Sequence, residues 1–275
     1  MFSDLSSQRL QGKIPPQLSS LTNLMGLQLS NNSLTGPIPD LSACNQLANL
    51  YLGINRLDGT IPESLSKLTS LSYLELNNNQ LSGSIPLSFG SLVNLQELSL
   101  GVNNLTGQIP PDLTKLTKLT KLSLISNKLS GPIPQDIGKL INLETFLLFR
   151  NQLSGPIPDT VGNLVYTTYF DLSFNQLEGP IPSTVGNLVN MEQFYLKANQ
   201  LTGLIPVELG KMLRATNMDL SENKLTMPVP DSVKNLPNYA PKTFIFENNS
   251  GSEISNTSSF PVWAIIVILP ILSGG

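Results

Sequence analysis

A segment of about 24 residues repeats along most of this chain, and this repeat is the feature that most restricts the possible fold. Residues 71–81 read Leu-Ser-Tyr-Leu-Glu-Leu-Asn-Asn-Asn-Gln-Leu, with leucines at fixed spacing around an asparagine. Equivalent asparagines follow at an interval of 23 residues once and 24 residues thereafter. They are Asn32, Asn55, Asn79, Asn103, Asn127, Asn151, Asn175, Asn199 and Asn223. This recurrence predicts a solenoid of stacked coils, in which each coil is one repeat.

Each repeat predicts the same local structure. The alternation in Leu74-Glu75-Leu76 predicts a short strand whose two leucines face the interior. One coil has too few apolar side chains to fold alone, so the leucines become buried only when neighbouring coils stack. The L-x-G-x-I-P element at residues 81–86 predicts a second strand, because Pro favours an extended residue before it. Residues 63–68 carry leucines three apart, which predicts a 3₁₀ or short helical turn.

The repeated asparagines predict a hydrogen-bonded ladder inside the solenoid. The chain turns inward after each strand and leaves backbone N–H and C=O groups without strand partners. A buried Asn amide can both donate and accept, so one Asn in each coil can satisfy those groups. The nine asparagines are therefore expected to connect each coil to the next.

The composition argues against catalysis and against nucleic-acid binding. The chain has no His, so neither a Ser-His-Asp nor a Cys-His nucleophile can be built. The single cysteine, Cys44, excludes an internal disulfide and is expected to be a small buried apolar residue. The net charge of −3 gives no basic surface for a phosphate backbone. We therefore predict no catalytic residues, no metal site, no cofactor and no nucleic-acid partner.

The 24-residue period with its L-x-G-x-I-P element, as at residues 81–86 and 153–158, closely resembles the plant-type leucine-rich-repeat ectodomains. These belong to receptor-like kinases, receptor-like proteins and polygalacturonase-inhibiting proteins. The resemblance covers roughly residues 3–236. It implies an α/β repeat fold, a right-handed leucine-rich-repeat solenoid with a concave parallel β-sheet and a 3₁₀ or short-helical convex side. It also implies binding of peptides, small hormones or proteins outside the cell.

The repeat pattern decays at both ends of the chain. Residues 1–9 form a partial N-terminal repeat with Gln8 in the place of the ladder asparagine, and the regular solenoid is predicted at residues 10–236. Residues 237–259 are rich in Asn, Ser and Thr, which predicts a polar linker. Residues 260–275 form an apolar tail.

The apolar run in this tail suggests attachment to a membrane. It has about 13 residues, and at 1.5 Å per residue a helix of that length spans about 20 Å, less than a full bilayer core. We interpret it as a truncated transmembrane segment, which the resemblance favours, and a GPI-attachment signal is the alternative. The expected location is the plasma membrane with the solenoid outside the cell, although this chain carries no signal peptide.

Outward-facing strand positions predict the ligand surface. The early coils present mostly small or polar side chains there, and larger ones follow from the coil of Asn127 onward. The candidate ligand-binding residues are Ile125, Leu147, Phe149, Arg150, Tyr169, Asp171, Phe174, Tyr195 and Lys197. We expect an exposed apolar and aromatic patch with its charged residues at the edge, as at interaction surfaces. The alternative is that a β surface accommodates scattered aromatic residues without any ligand.

Two further surface features follow from the sequence. Glu97 and Lys121 occupy equivalent outward positions on neighbouring strands and are expected to form an ion pair. Four N-x-[ST] sequences give candidate glycosylation sites. They are Asn31, Asn104, Asn248 and Asn256.

The leading functional hypothesis is a non-catalytic ligand-recognition ectodomain of a plant plasma-membrane leucine-rich-repeat receptor. Its concave face would bind a peptide, a small molecule or a protein, with a co-receptor and with the membrane as further partners. A kinase domain would belong to a longer gene product. The alternative is a secreted protein similar to polygalacturonase inhibitors, which would bind a wall-degrading enzyme. A cytosolic scaffold is a third hypothesis.

Overall fold

The repeated strand segments pair in parallel and form one continuous sheet along the concave side of the molecule. The structure, a computed structural model, describes residues 2–250. Within these residues the concave sheet has eleven strands, and sequential coils contribute neighbouring strands. The strands are Phe2–Asp4, Gly26–Gln28, Asn49–Tyr51, Tyr73–Glu75, Glu97–Ser99, Lys121–Ser123, Thr145–Leu147, Tyr169–Asp171, Gln193–Tyr195, Asn217–Asp219 and Phe244–Ile245. The predicted solenoid with a concave parallel sheet is confirmed.

A second set of short parallel strands lies on the flank, where the L-x-G-x-I-P element predicts an extended chain. In the described residues one sheet contains Ser82–Ser84, Asn104–Gly107, Lys128–Gly131, Gln152–Pro156, Gln176–Pro180, Gln200–Leu204 and Lys224–Thr226. Another contains Gln11–Lys13, Ser33–Gly36 and Arg56–Leu57. Each coil then returns along the convex side through a short turn.

Most convex turns are single 3₁₀ turns, because a coil has room for only about one helical turn before the next strand. The 3₁₀ turns are Pro16–Ser20, Glu63–Lys67, Leu87–Ser91, Pro111–Lys115, Ile137–Lys139, Asp159–Asn163, Ser183–Asn187 and Val207–Lys211. The last convex turn is a short α-helix, Asp231–Lys234. The expected convex side of 3₁₀ or short helical turns is therefore present.

The core is a single apolar column that runs through the stacked coils. Leu98 and Leu122 are in register on adjacent strands and are fully buried. The convex turns contribute residues such as Leu65, and the flank contributes residues such as Ile109. Cys44 is also fully buried in this column, as expected. Burying a leucine stabilises a fold by roughly 1.5–3 kcal/mol, so stacking supplies the stability that one coil lacks.

The asparagine ladder connects each coil to the one before it. The Oδ1 atom of Asn127 accepts a hydrogen bond from the N–H of Leu105 at 3.0 Å. Its Nδ2 donates to the C=O of Leu100 in the preceding coil at 3.1 Å and to that of Leu124 in its own coil at 3.2 Å. The same three-way pattern occurs at Asn55, Asn79, Asn103, Asn151, Asn175, Asn199 and Asn223.

Several convex turns contain a glycine that lets the coils approach closely. A Cβ atom on Gly162 would lie 2.5 Å from the C=O oxygen of Thr184 in the next coil. Gly186 and Gly210 have equally close neighbours one coil ahead. Because no real Cβ contact is that short, a side chain at these positions would push neighbouring coils apart.

The first residues of the chain already follow the solenoid geometry. The strand Phe2–Asp4 pairs with Gly26–Gln28. At the position of a ladder asparagine, the backbone N–H of Gln8 donates to Oδ1 of Asn32 at 3.0 Å. The Gln8 side chain does not enter the ladder and donates instead to the C=O of Ser6. The partial repeat therefore contributes strand pairing without a ladder side chain of its own.

At the other end the solenoid continues beyond residue 236, the end that the sequence predicted. The strand Phe244–Ile245 pairs with Asn217–Asp219. Asn249 joins the ladder, where its Oδ1 accepts from the N–H of Leu225 at 3.0 Å. The first part of the predicted linker is thus a further coil. Its ladder spacing of 26 residues from Asn223 and its phenylalanines in place of leucines hid it from the repeat pattern. The expected apolar tail lies outside the described residues.

Candidate functional site

The alternation within each concave strand divides its side chains between the core and the open face. Phe146, Phe170 and Phe194 occupy the middle positions of three successive strands and are fully buried. Their rings contact each other with centroid distances of 5.3 Å for both neighbouring pairs. The first and third positions of the same strands point to the concave face. The candidate surface therefore rests on a packed column of aromatic rings.

Four residues on this surface form what we name the C-terminal tyrosine cluster: Tyr169, Asp171, Tyr195 and Asp219. The rings of Tyr169 and Tyr195 meet edge to face with their centroids 5.9 Å apart. Asp171, Tyr195 and Asp219 are register neighbours on three adjacent strands. The two carboxylates therefore flank Tyr195, separated by two strand spacings, or about 10 Å.

Burial dominates the electrostatics of this cluster. Asp171 is only 8% exposed, and burial raises the pKa of its carboxyl to about 6. The N–H of Ser173 donates to Oδ1 of Asp171 at 2.9 Å, which opposes that rise, and the nearby charge of Asp219 adds to it. Burial also raises the pKa of Asp219 and that of Tyr195. The cluster thus holds carboxylates in a partly dehydrated environment.

One lysine lies beside the cluster, but its charge is already engaged. The ammonium of Lys197 forms an ion pair with Glu222, with an Nζ to Oε1 distance of 3.1 Å. Lys197 lowers the pKa of Asp219, but less than the hydrogen bonds from Ser221 do. Within residues 2–250 neither Asp171 nor Asp219 has an ion-pair partner within 4.0 Å.

A second contact extends the aromatic surface along the edge of the sheet. The guanidinium carbon of Arg150 lies 5.7 Å from the ring centroid of Phe174, which is one coil further on. Both residues have positive φ, 55° in each case, at the point where the coil turns away from the sheet. Phe149 is half-buried beside them, and Ile125 lies over Gly101 of the preceding coil.

The structure corrects two of the expected features of this surface. Leu147 is 4% exposed and lies in register between Ser123 and Asp171, so it is buried and offers no apolar contact surface. Asp171 is buried within the sheet surface, so it does not lie at an exposed edge. The remaining candidates are partly exposed on the concave side. They are Ile125, Phe149, Arg150, Tyr169, Phe174, Tyr195 and Lys197.

Sequence reasoning missed a related group nearer the start of the solenoid. This N-terminal tyrosine cluster consists of Tyr51, Tyr73, Glu75 and Glu97. The rings of Tyr51 and Tyr73 stack with centroids 6.3 Å apart. Burial raises the pKa of Glu75, whereas the charge of Lys121 lowers it. The expected pair of Glu97 and Lys121 is present, with an Oε2 to Nζ distance of 3.4 Å.

The signal for this group was present in the sequence. Tyr51 and Tyr73 occupy the third position of one strand and the first position of the next, which places them diagonally across the sheet. Asp219 was missed because the predicted ligand surface ended one coil before it. A position-by-position comparison of all coils would have found both.

The candidate glycosylation sites within the described residues are all exposed. Asn31 donates through Nδ2 to Oγ of Ser7 at 2.9 Å, and Asn104 begins a flank strand. Asn248 is exposed next to the last ladder position. Asn256 lies outside the described residues. Glycosylation at these positions stays a prediction.

Sequence-family comparison identifies the repeat along most of the solenoid. The leucine-rich-repeat family matches residues 45–105, and single repeats match residues 23–44, 118–140, 142–164 and 166–188. Receptor-like kinase TMK2 from Arabidopsis thaliana is 37% identical over 51 residues, which is 18% of this chain and 6% of TMK2.

Two solved structures of plant receptors are similar over nearly the whole chain. The plant peptide hormone receptor RGFR1 in complex with RGF2 is 33% identical, with a TM-score of 0.82, and the match covers 90% of this chain and 43% of the receptor chain. The Arabidopsis receptor kinase HAESA in complex with the peptide hormone IDA and the co-receptor SERK1 is 38% identical, with a TM-score of 0.76. That match covers 83% of this chain and 39% of the HAESA chain. The chain thus spans less than half the length of either receptor chain.

Proposed function

The chain belongs to the leucine-rich-repeat family, and from that premise we propose that it is the ligand-recognition part of a plant cell-surface receptor. Its ligand is a peptide that lies along the concave face of the C-terminal coils. The chain contributes recognition and no catalysis. A co-receptor and a signalling domain on a longer gene product would complete the receptor.

The observation that carries this proposal is a group of large aromatic side chains on the concave face that the stacking of coils does not require. Stacking requires only the inward leucines, the ladder asparagines and the close-packed glycines. The partly exposed Phe149, Tyr169, Phe174 and Tyr195 contribute to none of these. Large aromatic residues on an open, preformed surface are typical of binding sites. Peptide hormones are also bound by RGFR1 and HAESA, which share this fold.

The proposed location is the outer face of the plasma membrane. Among residues 2–250, none of the helices combines the length and the hydropathy that crossing a membrane requires. We propose that the apolar run at residues 260–272 makes the membrane connection. Treating the plant-expressed protein with an endoglycosidase tests the location, because glycans on Asn31 or Asn104 would appear as a loss of mass.

Affinity capture from plant extracellular fluid tests the peptide ligand. The full chain is immobilised, incubated with the peptide fraction of that fluid and washed, and the eluted peptides are sequenced by mass spectrometry. The matched control is the Phe149→Ala plus Tyr195→Ala variant, with its fold checked by circular dichroism. Peptides retained by the natural chain and lost by the variant would support the proposal.

Two results would contradict this function. Identical peptides on the natural chain and on the variant would exclude the concave aromatic surface as the binding site. Tight inhibition of a polygalacturonase by the chain would favour the secreted inhibitor instead.

A further inference from the structure

We propose that the C-terminal tyrosine cluster binds a cationic side chain of the peptide ligand, either an arginine guanidinium or a lysine ammonium. This inference rests on the proposed peptide-binding function and names the chemistry of one subsite within it. The cation would lie over the ring of Tyr195 and between the carboxylates of Asp171 and Asp219.

The aromatic geometry favours a cation. Tyr169 and Tyr195 meet edge to face, and both are only partly buried. The face of a tyrosine ring is electron-rich and attracts a guanidinium or ammonium within about 6 Å of its centroid. In this part of the surface Arg150 and Phe174 already form such a contact at 5.7 Å. Tyr195 has no equivalent cation among the described residues.

The carboxylates supply the complementary charge. Asp171 and Asp219 are register neighbours of Tyr195 on its two sides. Each uses Oδ1 to accept the N–H of the serine two residues later, and the hydroxyl of that serine also hydrogen-bonds the carboxylate. A carboxylate that is buried without a cation is unfavourable, and an arriving guanidinium or ammonium removes that cost.

The local turn does not by itself explain these aspartates. Asp4 makes the same contact, accepting the N–H of Ser6 at 3.0 Å on the first strand of the sheet. Asp4 is exposed, however, and no tyrosine occupies the neighbouring strand position, which is Gln28. The turn therefore forms without burial and without an aromatic neighbour. Burial beside Tyr195 is the additional feature that the proposal explains.

The neighbouring lysine compensates only part of this charge, because it lowers the pKa of Asp219 less than the hydrogen bonds from Ser221 do. Lys197 directs its ammonium to Glu222 at 3.1 Å and lies more than 4.0 Å from the carboxylates of the cluster. The charges of Asp171 and Asp219 both raise the pKa of Tyr195, whereas Lys197 is paired with Glu222. The local excess of negative charge persists in the ligand-free protein.

A titration with a small cation tests the subsite without the natural peptide. The probe is N-acetyl-argininamide, whose only charge is the guanidinium, and the neutral probe is N-acetyl-citrullinamide, which has nearly the same shape. Binding is followed on the full chain by NMR, through the ring signals of Tyr195 and the carboxyl signal of Asp171. We expect saturable shifts with the arginine probe and a response to the citrulline probe that is about tenfold weaker or more.

Matched variants separate the charge from the fold. The double variant Asp171→Asn, Asp219→Asn keeps the Oδ1 acceptor of each turn and removes both charges. The control, Glu75→Gln with Glu97→Gln, removes two carboxylates from the N-terminal tyrosine cluster. Binding of the arginine probe at Tyr195 should fall about tenfold or more in the first variant and stay within about twofold in the second. Thermal unfolding confirms that both variants are folded.

Equal responses to the two probes, or equal binding by the natural chain and the Asp171→Asn, Asp219→Asn variant, would overturn the subsite. Capture of peptides that contain no basic residue, together with an inert subsite, would refute this inference and leave the peptide-binding function intact. Selective binding of the arginine probe with no captured peptide would support the cation subsite and count against the peptide ligand.

Discussion

The two tyrosine clusters occupy outward positions of the same sheet, but they differ in how burial of their carboxylates is compensated. In the N-terminal cluster Lys121 pairs with Glu97 at 3.4 Å and also lowers the pKa of Glu75. In the C-terminal cluster Lys197 lowers the pKa of Asp219, but none of the cations in the described residues lowers that of Asp171. A lysine therefore compensates part of the burial of Glu75 in the first cluster, whereas Asp171 in the second has no such compensation among the described residues.

The two clusters show that outward positions differ between coils, whereas the positions that build the fold are the same in each coil. The ladder asparagines and inward leucines perform one task in every coil, so they repeat. The outward positions are free of that task and vary from coil to coil. A variable position that costs stability, such as Asp171, is a better indicator of function than one that is merely exposed.

The largest effect that we predict is a gain of stability in the Asp171→Asn variant. A carboxyl whose pKa rises from 3.8 to about 6 on folding costs the folded state about 3 kcal/mol at neutral pH. The amide keeps the acceptor for Ser173 and removes the buried charge. Urea unfolding at pH 7.5 should therefore show an increase of up to about 3 kcal/mol. Unchanged stability would mean that Asp171 is already neutralised.

The pH dependence of that gain follows from the sign of the pKa shift. The folded state binds the Asp171 proton more tightly than the unfolded state, so this carboxyl favours folding below pH 3.8 and loses that effect as pH rises to about 6. The advantage of the Asp171→Asn variant should grow between pH 4 and pH 6 and be absent below pH 4. An advantage that is constant across this range would exclude titration of Asp171 as its cause.

A ladder variant between the two clusters tests the scaffold that they share. Asn127→Ala leaves the N–H of Leu105 and the C=O of Leu100 without their partner. Loss of buried hydrogen bonds of this kind costs roughly 1–3 kcal/mol. Urea unfolding followed by circular dichroism should show that loss. The same unfolding midpoint as the natural chain would contradict the ladder.

Removing the cation of the N-terminal cluster should make it resemble the C-terminal one. Lys121→Met breaks a partly exposed ion pair, so the loss of stability should stay below about 1 kcal/mol. The same change should raise the pKa of Glu75, because the lysine charge no longer favours the carboxylate. Carboxyl NMR of Glu75 measures this rise. No change in the titration would show that Lys121 does not neutralise the cluster.

The smallest change should come from Glu75→Gln. Burial raises the pKa of Glu75, so removing its charge should stabilise the protein slightly. Since Lys121 already compensates part of that burial, the gain should be smaller than in Asp171→Asn. Parallel urea unfolding of the two variants gives the comparison directly. Equal gains would remove the distinction between the clusters.

The sequence predicted the fold well because the same pattern of buried leucines and a ladder asparagine recurs nine times. Strand, ladder and convex turn each follow from local spacing, as Leu74, Asn79 and Leu65 illustrate. The last coil was missed because Asn249 falls two residues late and because Phe244 and Phe246 replace leucines there. A search for a 24-residue spacing identifies only those coils that have this spacing.

The binding surface was less predictable, because exposure depends on neighbours in other coils. Alternation places Leu147 on the outer face of its strand, but the flanking strands cover it. The burial of Asp171 and its distance from any cation are likewise properties of several coils together. Sequence spacing could identify the face but could not show which of its charges lack a partner.

The pKa of Asp171 tests most directly whether the burial of this carboxyl is left without a compensating cation. A carboxyl ¹³C NMR titration of the ligand-free chain, labelled at aspartate and assigned with the Asp171→Asn variant, measures it. We predict a midpoint at about 6, well above the ordinary value of 3.8. A midpoint near 3.8 would show that Asp171 is solvated or paired, and would contradict the contrast between the two clusters.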